Sequence, residues 1–408
     1  MICGLLGRKL GHSYSPQIHA QLGTYRYSLF EKEPEELEDF LKHGDFSGLN
    51  VTVPYKKAVI PFLDELTPVA ERLGAVNTIV RRPDGRLLGH NTDYFGFQSM
   101  AERSGVSFSG KKVLILGTGG AAVMAKAVVE EKGGCPILIS RTGDDNYETL
   151  EKHADASVIV NATPVGMYPN NGVSPVDLSL FPKLEGVLDL IYNPARTRLL
   201  LDAQKLEIPT ENGLWMLVAQ AKEAAEYFTG CSVPDAKIGE IHRILSQQMQ
   251  NIILIGMPGC GKSTIGTILA QKTEKVFYDA DTVVCQLAGR SIPEIFQAEG
   301  EDGFRRWETE ALLQLGKLSG AVIATGGGCV TRAENYPLLH QNGTIFWLQR
   351  DIELLPTDGR PLSQKSNLAV MYEARKPLYQ AFSDSIVCND GAAEETAGHI
   401  LEILEETK

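Results

Sequence analysis

The chain has 408 residues, of which 43% are hydrophobic and 22% are charged, a composition typical of a globular protein with two or three domains. Its net charge of −12 argues against binding along a nucleic-acid backbone. No apolar run reaches the roughly 20 residues needed to cross a bilayer. Seven scattered cysteines without a C-x-x-C pair argue against a disulfide framework or a zinc site. We therefore expect a cytoplasmic protein that binds neither nucleic acid nor membranes.

The first hundred residues alternate strand patterns with polar turns. A buried strand is predicted over 2–6, ending at Gly7, and Pro16 is placed to begin a helix that Ser15 would cap. The segment 49–57, LNVTVPYKK, alternates valines with polar residues until Pro54 interrupts the strand.

Two charged residues of this region could carry chemistry. Lys56 follows the interrupted strand, and Asp93 lies at a turn before an aromatic helix start. A lysine and an aspartate near strand ends could form a proton-transfer pair. The alternatives are that Lys56 is merely solvated and that Ser13 and Ser15 are ordinary turn and cap residues.

A glycine turn between a strand and a helix follows. The strand is predicted over 112–116, and the turn reads G-x-G-x-x-A, with Gly117 for the tight turn, Gly119 for close approach of a pyrophosphate and Ala122 for helix packing. After the next strand, 136–140, Arg141 stands where an NAD enzyme would have an acidic residue. A guanidinium there favours NADP, although Asp144 and Asp145 follow and no second base is close in sequence.

The rest of this region predicts strands over 156–161 and 186–192 and helices over 211–230 and 232–250. The last helix is expected to start near Pro234, and 246–250 is expected to join it to the next domain.

A complete phosphate-loop motif, GMPGCGKS over 256–263, lies between an apolar strand, 251–255, and a helix. Its backbone N–H groups and the helix N-terminus would cradle phosphate oxygens. Lys262 would reach the β- and γ-phosphates, and the Ser263 hydroxyl would bind Mg²⁺. The alternative is a glycine-rich turn with a chance Lys–Ser pair.

Two acids follow this loop in the segment VFYDAD. Asp279 and Asp281 have the period-2 spacing that points both the same way in a strand, suited to a metal and a substrate hydroxyl. The alternative is two acids at a helix N-terminus. Further on, Gly326, Gly327 and Gly328 follow a strand and would let the backbone approach a ligand closely.

Residues 1–245 resemble shikimate dehydrogenases through the motifs HSYSP, NVTVPYK, GAVNT, NTDYFG, GTGGA, NATPVGM, DLIYNP and NGLWMLVAQ. The resemblance implies a catalytic pair, Lys56 and Asp93, that accompanies hydride transfer from NADPH to 3-dehydroshikimate. It implies a substrate pocket lined by Ser13, Ser15, Thr52, Lys56, Asn77, Asp93, Tyr192 and Gln220. It implies an NADP site formed by Gly117, Gly119, Gly120, Ala121, Arg141, Thr142, Thr163 and Gly213.

Residues 251–408 resemble shikimate kinases through GMPGCGKST, FYDAD, IPEIFQAEGEDGFRRWE, ATGGG, GRPL and RKPLY. The implied ATP site is Gly259, Cys260, Gly261, Lys262, Ser263, Thr264 and the lid arginine Arg360. The implied substrate site is Asp281, Arg305, Gly326, Gly327, Gly328 and Arg375, with Asp281 receiving the 3-hydroxyl. Ser263 and Asp279 would hold Mg²⁺. The lid segment is shorter than is usual, and Pro356 and Thr357 stand where an adenine-stacking arginine is common.

Together these patterns predict an α/β protein with a dehydrogenase of two domains, an α/β substrate domain and a Rossmann NADP domain, followed by a P-loop kinase whose parallel sheet is flanked by helices. The boundaries are 1–100 for the substrate domain, completed by helices from 211–248, 101–210 for the NADP domain and 251–408 for the kinase. The product of the first enzyme would be the substrate of the second. The alternatives are a metabolite sensor without turnover, in which we would expect loss of the catalytic residues, and a quinate dehydrogenase that uses NAD.

Overall fold

The computed structural model describes residues 1–11, 13–355 and 365–406, without the side chains of 365–367. The chain divides into two compact units. The first comprises Met1–Met167, Val173–Tyr192 and Leu199–Ile244, and the second comprises Tyr168–Gly172, Asn193–Arg198 and Leu245–Lys408. No helix among the described residues combines the length and the apolar character needed to cross a membrane.

The first sheet of unit 1 is mixed, with strand order β2-β1-β3-β5-β6-β4. Its strands are β1 (Ile2–Gly7), β2 (Arg26–Glu31), β3 (Gly48–Val51), β4 (Glu65–Leu66), β5 (Thr78–Arg81) and β6 (Leu87–His90). The associated helices are α1 (Ser15–Leu22), α2 (Leu37–His43), α3 (Pro68–Leu73) and α4 (Asp93–Ser104). Strand β1 pairs in parallel with β2 and β3, while β5 runs antiparallel to β3 and β6.

The second sheet of unit 1 is entirely parallel, with strand order β11-β10-β9-β7-β8. Its strands are β7 (Lys112–Leu116), β8 (Cys135–Ile139), β9 (Val158–Asn161), β10 (Gly186–Asp189) and β11 (Thr210–Glu211). The helices that follow in sequence are α5 (Gly120–Glu131), α6 (Arg198–Lys205), α7 (Leu214–Thr229) and α8 (Ala236–Met249). The inner strands are buried on both faces, which explains their continuous apolar runs.

Unit 2 contains one parallel sheet of order β13-β14-β12-β15-β16. Its strands are β12 (Asn251–Ile255), β13 (Val276–Asp279), β14 (Ala321–Ala324), β15 (Gly343–Gln349) and β16 (Ser385–Cys388). Its helices are α9 (Lys262–Thr273), α10 (Ala280–Ala288), α11 (Ile292–Leu315), α12 (Asn335–His340), α13 (Lys365–Phe382) and α14 (Ala393–Glu406). Strand β12 is central and fully buried, so its carboxyl end delivers the phosphate loop at the middle of the sheet.

Three local predictions differ from the structure. Ser15 is the first residue of α1 rather than its cap; Tyr14 occupies the cap position without a side-chain hydrogen bond. The predicted join over 246–250 is not a segment separate from the helix, because α8 continues to Met249 and β12 begins at Asn251. Asp281 does not share a strand with Asp279, because β13 ends at Asp279 and α10 begins at Ala280.

Candidate active sites

A cavity of about 290 Å³ in unit 1 brings together all the residues assigned to the dehydrogenase substrate. Those residues are Ser13, Ser15, Thr52, Lys56, Asn77, Asp93, Tyr192 and Gln220. The cavity is also lined by Asn50, Leu190 and Met216, which were not assigned from the sequence. The sequence pattern could have identified Asn50. It alternates with the valines of this strand in the same way as Thr52, so both are expected on the same face.

An ion pair between Lys56 and Asp93 lines this cavity. The Lys56 Nζ donates to Asp93 Oδ2 at 2.6 Å, and the two side chains keep 32% and 19% of their surface exposed. Lys56 follows β3, and Asp93 opens α4, so two separate elements deliver them. A close pair that remains partly open can hold a proton beside a bound substrate oxygen.

Asn77 fixes the backbone that carries Asp93. Its Oδ1 accepts from the Thr92 backbone N–H at 2.7 Å, and its Nδ2 donates to the Thr92 hydroxyl at 3.1 Å. The Asn91 side chain accepts from the Asp93 backbone N–H at 3.1 Å. Asn77 is buried, and it has two places in the structure. It holds the loop that carries Asp93, and it also lines the cavity.

The dinucleotide turn after β7 has the geometry that its glycines predict. Gly117 has φ of 110°, and a Cβ there would lie 3.1 Å from the Thr163 methyl carbon and 3.2 Å from the Ala162 carbonyl oxygen. Gly119 caps α5, which begins at Gly120 and continues through Ala121. No atom lies within 4 Å of a Cβ built on Gly119 or Gly120, so this face of the turn is open.

Two further residues that the sequence assigned to an NADP site, Thr163 and Gly213, lie on turns at the ends of neighbouring segments. Thr163 donates its hydroxyl to Asn161 Oδ1 at 2.7 Å, and Asn161 in turn donates to buried Asp189 at 3.0 Å. The hydrogen bond between Asn161 and Asp189, which holds Asn161 in place, was not predicted from the sequence. Gly213 caps α7, lines the substrate cavity and has no room for a Cβ, which would collide with the Leu190 carbonyl.

Arg141 and Thr142 are exposed on the turn after β8. Of the two nearby acids, Asp145 pairs with His153 at 2.9 Å. The structure also brings a second base to this turn, because Lys152 donates to the Asp144 carbonyl at 3.5 Å.

The phosphate loop of unit 2 wraps as its motif predicts, with positive φ at Gly256, Gly259 and Gly261. The buried Lys262 Nζ donates to the carbonyls of Gly256 and Met257 at 2.9 and 3.0 Å. Thr264 is exposed in the first turn of α9, and Cys260 is buried.

The geometry around Ser263 suits a hard cation with oxygen ligands. Its hydroxyl donates to Asp279 Oδ2 at 2.8 Å, while Asp279 Oδ1 caps α10 by accepting from the Asp281 N–H at 3.0 Å. Among the described residues no group of three or more His, Cys, Asp or Glu side chains is arranged to hold a metal. Ser263 and Asp279 would offer a cation one hydroxyl and one carboxylate, so any further ligands would have to come from phosphate oxygens or water.

Each glycine of the turn after β14 meets a different group. A Cβ on Gly326 would collide with Glu308, one on Gly327 would lie 2.6 Å from Pro258 of the phosphate loop, and one on Gly328 would collide with the Arg305 guanidinium. The three positions therefore need glycine because functional groups pack directly against them.

Arg305 forms a buried ion pair that the sequence reading missed. Its Nη1 donates to Glu308 Oε2 at 2.7 Å, and its Nη2 contacts Glu301 at 3.1 Å. Burial raises the pKa of the Glu308 carboxyl above its ordinary value. The positive charge of Arg305 lowers the same pKa, but by less. The spacing of Arg305 and Glu308, three residues apart on α11, was the available signal.

Within the described part of unit 2, Arg305 Nε and Glu308 Oε1 are buried without a hydrogen-bond partner. Asp281 and Glu308 both lie beside Gly326. The Asp281 Oδ1 would be 3.2 Å from a Cβ built on that glycine, and Glu308 Oε1 would be closer still. Arg375 donates to the Gly327 carbonyl at 3.1 Å, and the Tyr379 hydroxyl donates to the same oxygen. Arg360 lies outside the described residues, as do Pro356 and Thr357.

These geometries define two classes of enzyme on one chain, a dinucleotide-dependent oxidoreductase and a P-loop phosphotransferase. The model of the shikimate dehydrogenase substrate binding domain matches residues 5–79, and the shikimate kinase model matches residues 258–405. The chain belongs to the shikimate dehydrogenase family, and its C-terminal part is a shikimate kinase domain.

Individual relatives support the first assignment over nearly their whole length. The NADP-dependent shikimate dehydrogenase of Clostridium perfringens is 36% identical over 59% of this chain and 97% of its own. The crystal structure of shikimate dehydrogenase 1 from Peptoclostridium difficile is 38% identical with a TM-score of 0.54, covering 60% of this chain and 97% of that one. Shikimate 5-dehydrogenase from Thermus thermophilus, crystallised with NADP(H) and shikimate, is 31% identical with a TM-score of 0.54, covering 60% of this chain and 99% of that one.

Proposed function

We propose that the chain catalyses two consecutive steps: NADPH-dependent reduction of 3-dehydroshikimate to shikimate, then phosphorylation of the shikimate 3-hydroxyl by ATP. The observation that carries the proposal is that one chain holds both the Lys56–Asp93 cavity and a phosphate loop beside the glycine turn after β14. In that turn Gly327 packs against Pro258 of the loop, and Gly328 packs against the buried Arg305. The complex of the Thermus thermophilus relative with NADP(H) and shikimate supports the first step. We also propose the division into 1–100, completed by helices of 211–248, 101–210 and 251–408. In its support, the strands of the three sheets lie within 2–90, 112–211 and 251–388.

In the reduction, bound NADPH supplies the hydride. The ketone oxygen gains negative charge as hydride arrives, and Lys56 is placed to stabilise that charge and supply the proton. Asp93 orients the ammonium group through the 2.6 Å hydrogen bond. Ser13, Ser15, Thr52, Asn77, Tyr192 and Gln220 would bind the remaining polar groups of the substrate.

In the phosphorylation, Arg305 and Arg375 bind the substrate carboxylate, and a guanidinium can do this as a bidentate fork. Asp281 orients the hydroxyl, and Lys262 and Arg360 neutralise charge on the transferring phosphoryl group. Ser263 and Asp279 would hold Mg²⁺, which supplies further charge neutralisation when bound. Arg360 enters this proposal from the family resemblance alone.

The proposed setting is the cytoplasm, with small molecules as the ligands. All seven cysteines are free, as a reducing compartment requires, and the net charge is −12.

The purified chain incubated with 3-dehydroshikimate, NADPH, ATP and Mg²⁺ should form shikimate 3-phosphate, detected by mass spectrometry. Omission of ATP should stop the reaction at shikimate, and omission of NADPH should prevent any product. Chelation of Mg²⁺ by EDTA should also stop it at shikimate, since the dehydrogenase site needs no metal. Absence of shikimate 3-phosphate in the complete mixture would refute the proposal.

A further inference from the structure

Asn389 follows the last strand, β16, and was not singled out by its sequence. It is 4% exposed, and its Nδ2 donates to the backbone carbonyl of Cys260 at 2.6 Å. Because a carbonyl can only accept, the atom that faces it is the amide nitrogen. A side chain from the far end of unit 2 therefore holds the middle of the phosphate loop.

The Asn389 amide is itself held on two sides. The Thr396 hydroxyl of α14 donates to Asn389 Oδ1 at 2.9 Å, and the Asn389 backbone N–H donates to the Gln349 carbonyl at 2.8 Å. Helix α14 packs against α9, the helix that the phosphate loop enters. The donor is thus fixed before any ligand binds.

The Cys260 carbonyl needs a donor that the helix cannot supply. The first carbonyl of the α9 ladder is that of Gly261, which accepts from the Ile265 N–H at 2.9 Å. Cys260 precedes it and is fully buried, so its carbonyl would destabilise the loop if it had no partner. Asn389 satisfies this group from outside the helix.

Fixing this carbonyl also fixes the next N–H group. The C=O of Cys260 and the N–H of Gly261 belong to one planar trans peptide, in which the two groups point in opposite directions. Gly261 has φ of 99°, and a Cβ there would lie 2.5 Å from Asn389 Nδ2, so the contact also requires glycine. The Gly261 N–H therefore points away from the side on which Asn389 lies.

We propose that Asn389 is a positioning residue that orients the Cys260–Gly261 peptide for binding the polyphosphate chain of the nucleotide. The proposal rests on the kinase function proposed above and deepens it by naming a determinant of phosphate affinity. It differs from a contact to the nucleotide base, because it acts through a backbone N–H on phosphate.

The test compares inorganic tripolyphosphate with ATP on the full-length chain, by calorimetric titration. Asn389→Ala should weaken both ligands by the same factor, about three- to tenfold, the value of one hydrogen bond. Asn389→Asp should weaken both further, because a carboxylate oxygen, which only accepts, would be placed against the Cys260 carbonyl oxygen and repel it. Thr396→Val should weaken both by a smaller factor, and it keeps the test open if the Asn389 variants do not fold. The KM for shikimate should stay unchanged.

Asn251→Ala is the matched control. Asn251 is also a buried amide bound to backbone, since its Nδ2 donates to the Leu318 carbonyl at 2.6 Å, but it lies at the opposite end of β12 from the phosphate loop. It should lower thermal stability without changing tripolyphosphate affinity.

Three results would overturn the proposal: unchanged affinity in all Asn389 and Thr396 variants, weakening of ATP but not of tripolyphosphate, or equal weakening by Asn251→Ala. The tripolyphosphate comparison needs no shikimate. Suppose that the Asn389 variants lose tripolyphosphate affinity but the wild-type chain does not phosphorylate shikimate. Only the proposed function then fails.

Discussion

The two catalytic regions each contain a cation paired with a carboxylate, but the two pairs differ in exposure. Lys56 and Asp93 join at 2.6 Å with side chains 32% and 19% exposed. Arg305 and Glu308 join at 2.7 Å with side chains 9% and 0% exposed. Similar contact distances therefore occur in very different surroundings.

This difference fits the tasks that we propose for the two sites. Lysine can release a proton and recover it, whereas an arginine stays charged in proteins. A partly open Lys–Asp pair suits a step in which a proton moves, while a buried Arg–Glu pair presents a permanent charge in a fixed orientation. The chemistry of each region thus follows from the cation and its burial, not from the pairing alone.

The largest expected effect tests whether the two regions act independently. Lys262→Ala removes the cation of the phosphate loop, so phosphorylation of shikimate should fall to the assay background. NADPH oxidation with 3-dehydroshikimate should keep its wild-type rate, because Lys262 belongs to the kinase unit. Both rates are measured on one preparation, and equal loss of the two would contradict two separate sites.

The next effect tests proton transfer at the open pair. Lys56→Ala and Asp93→Asn should each lower kcat for reduction by about 10²–10⁴-fold, the usual contribution of a general acid. The double variant should be little worse than the worse single variant, because residues that act as a unit are not additive.

Steady-state kinetics with 3-dehydroshikimate separates the possible roles of the pair. Lys56→Arg is the sharper variant, since it keeps the charge but cannot readily give up a proton. If these variants retain kcat and only KM rises, the pair binds substrate without donating the proton. Phosphorylation of shikimate is the internal control and should not change.

Breaking the buried pair should cost stability. Glu308→Ala removes the buried partner of Arg305 and leaves only the exposed Glu301 beside it. We expect the fold to lose stability, by at most about 3–5 kcal/mol, the loss typical of an uncompensated buried charge. Thermal and urea unfolding of the full chain should show earlier melting of the kinase unit. Glu310→Ala, an exposed acid two residues further along α11, is the control. Equal stability of the Glu308 and Glu310 variants would mean that the buried pair is not needed to hold Arg305.

Sequence patterns predicted the elements and motif turns better than the contacts made across the fold. The strand over 112–116 and the phosphate loop depend on local apolar runs and glycines, and both are found. The placement of Asp281 was wrong, because period-2 spacing cannot reveal where a strand ends. Glu308 was missed although its spacing of three residues from Arg305 on one helix is a local signal. Asn389 was missed because tertiary packing chooses its partner, a carbonyl 129 residues away.

The smallest effect concerns cofactor choice at the turn after β8. Arg141 is exposed there, and Asp145 is engaged by His153. Arg141→Ala should raise the KM for NADPH far more than the KM for NADH. A hydrogen bond to a charged group contributes roughly 1.5–3 kcal/mol, so the expected change is about ten- to a hundredfold.

Lys152 and Arg26 make this test specific. Arg26→Ala removes the same charge from an exposed position on β2, in the other sheet of unit 1, and should leave both KM values unchanged. Lys152 donates to the Asp144 carbonyl on the same turn as Arg141, so a second base lies near Arg141. If Arg141 alone binds the 2′-phosphate, Lys152→Ala will resemble the Arg26 control. If the two bases share it, the double variant will prefer NADH more strongly than Arg141→Ala does. An unchanged ratio of the two KM values in Arg141→Ala would place the preference for NADPH elsewhere in the site.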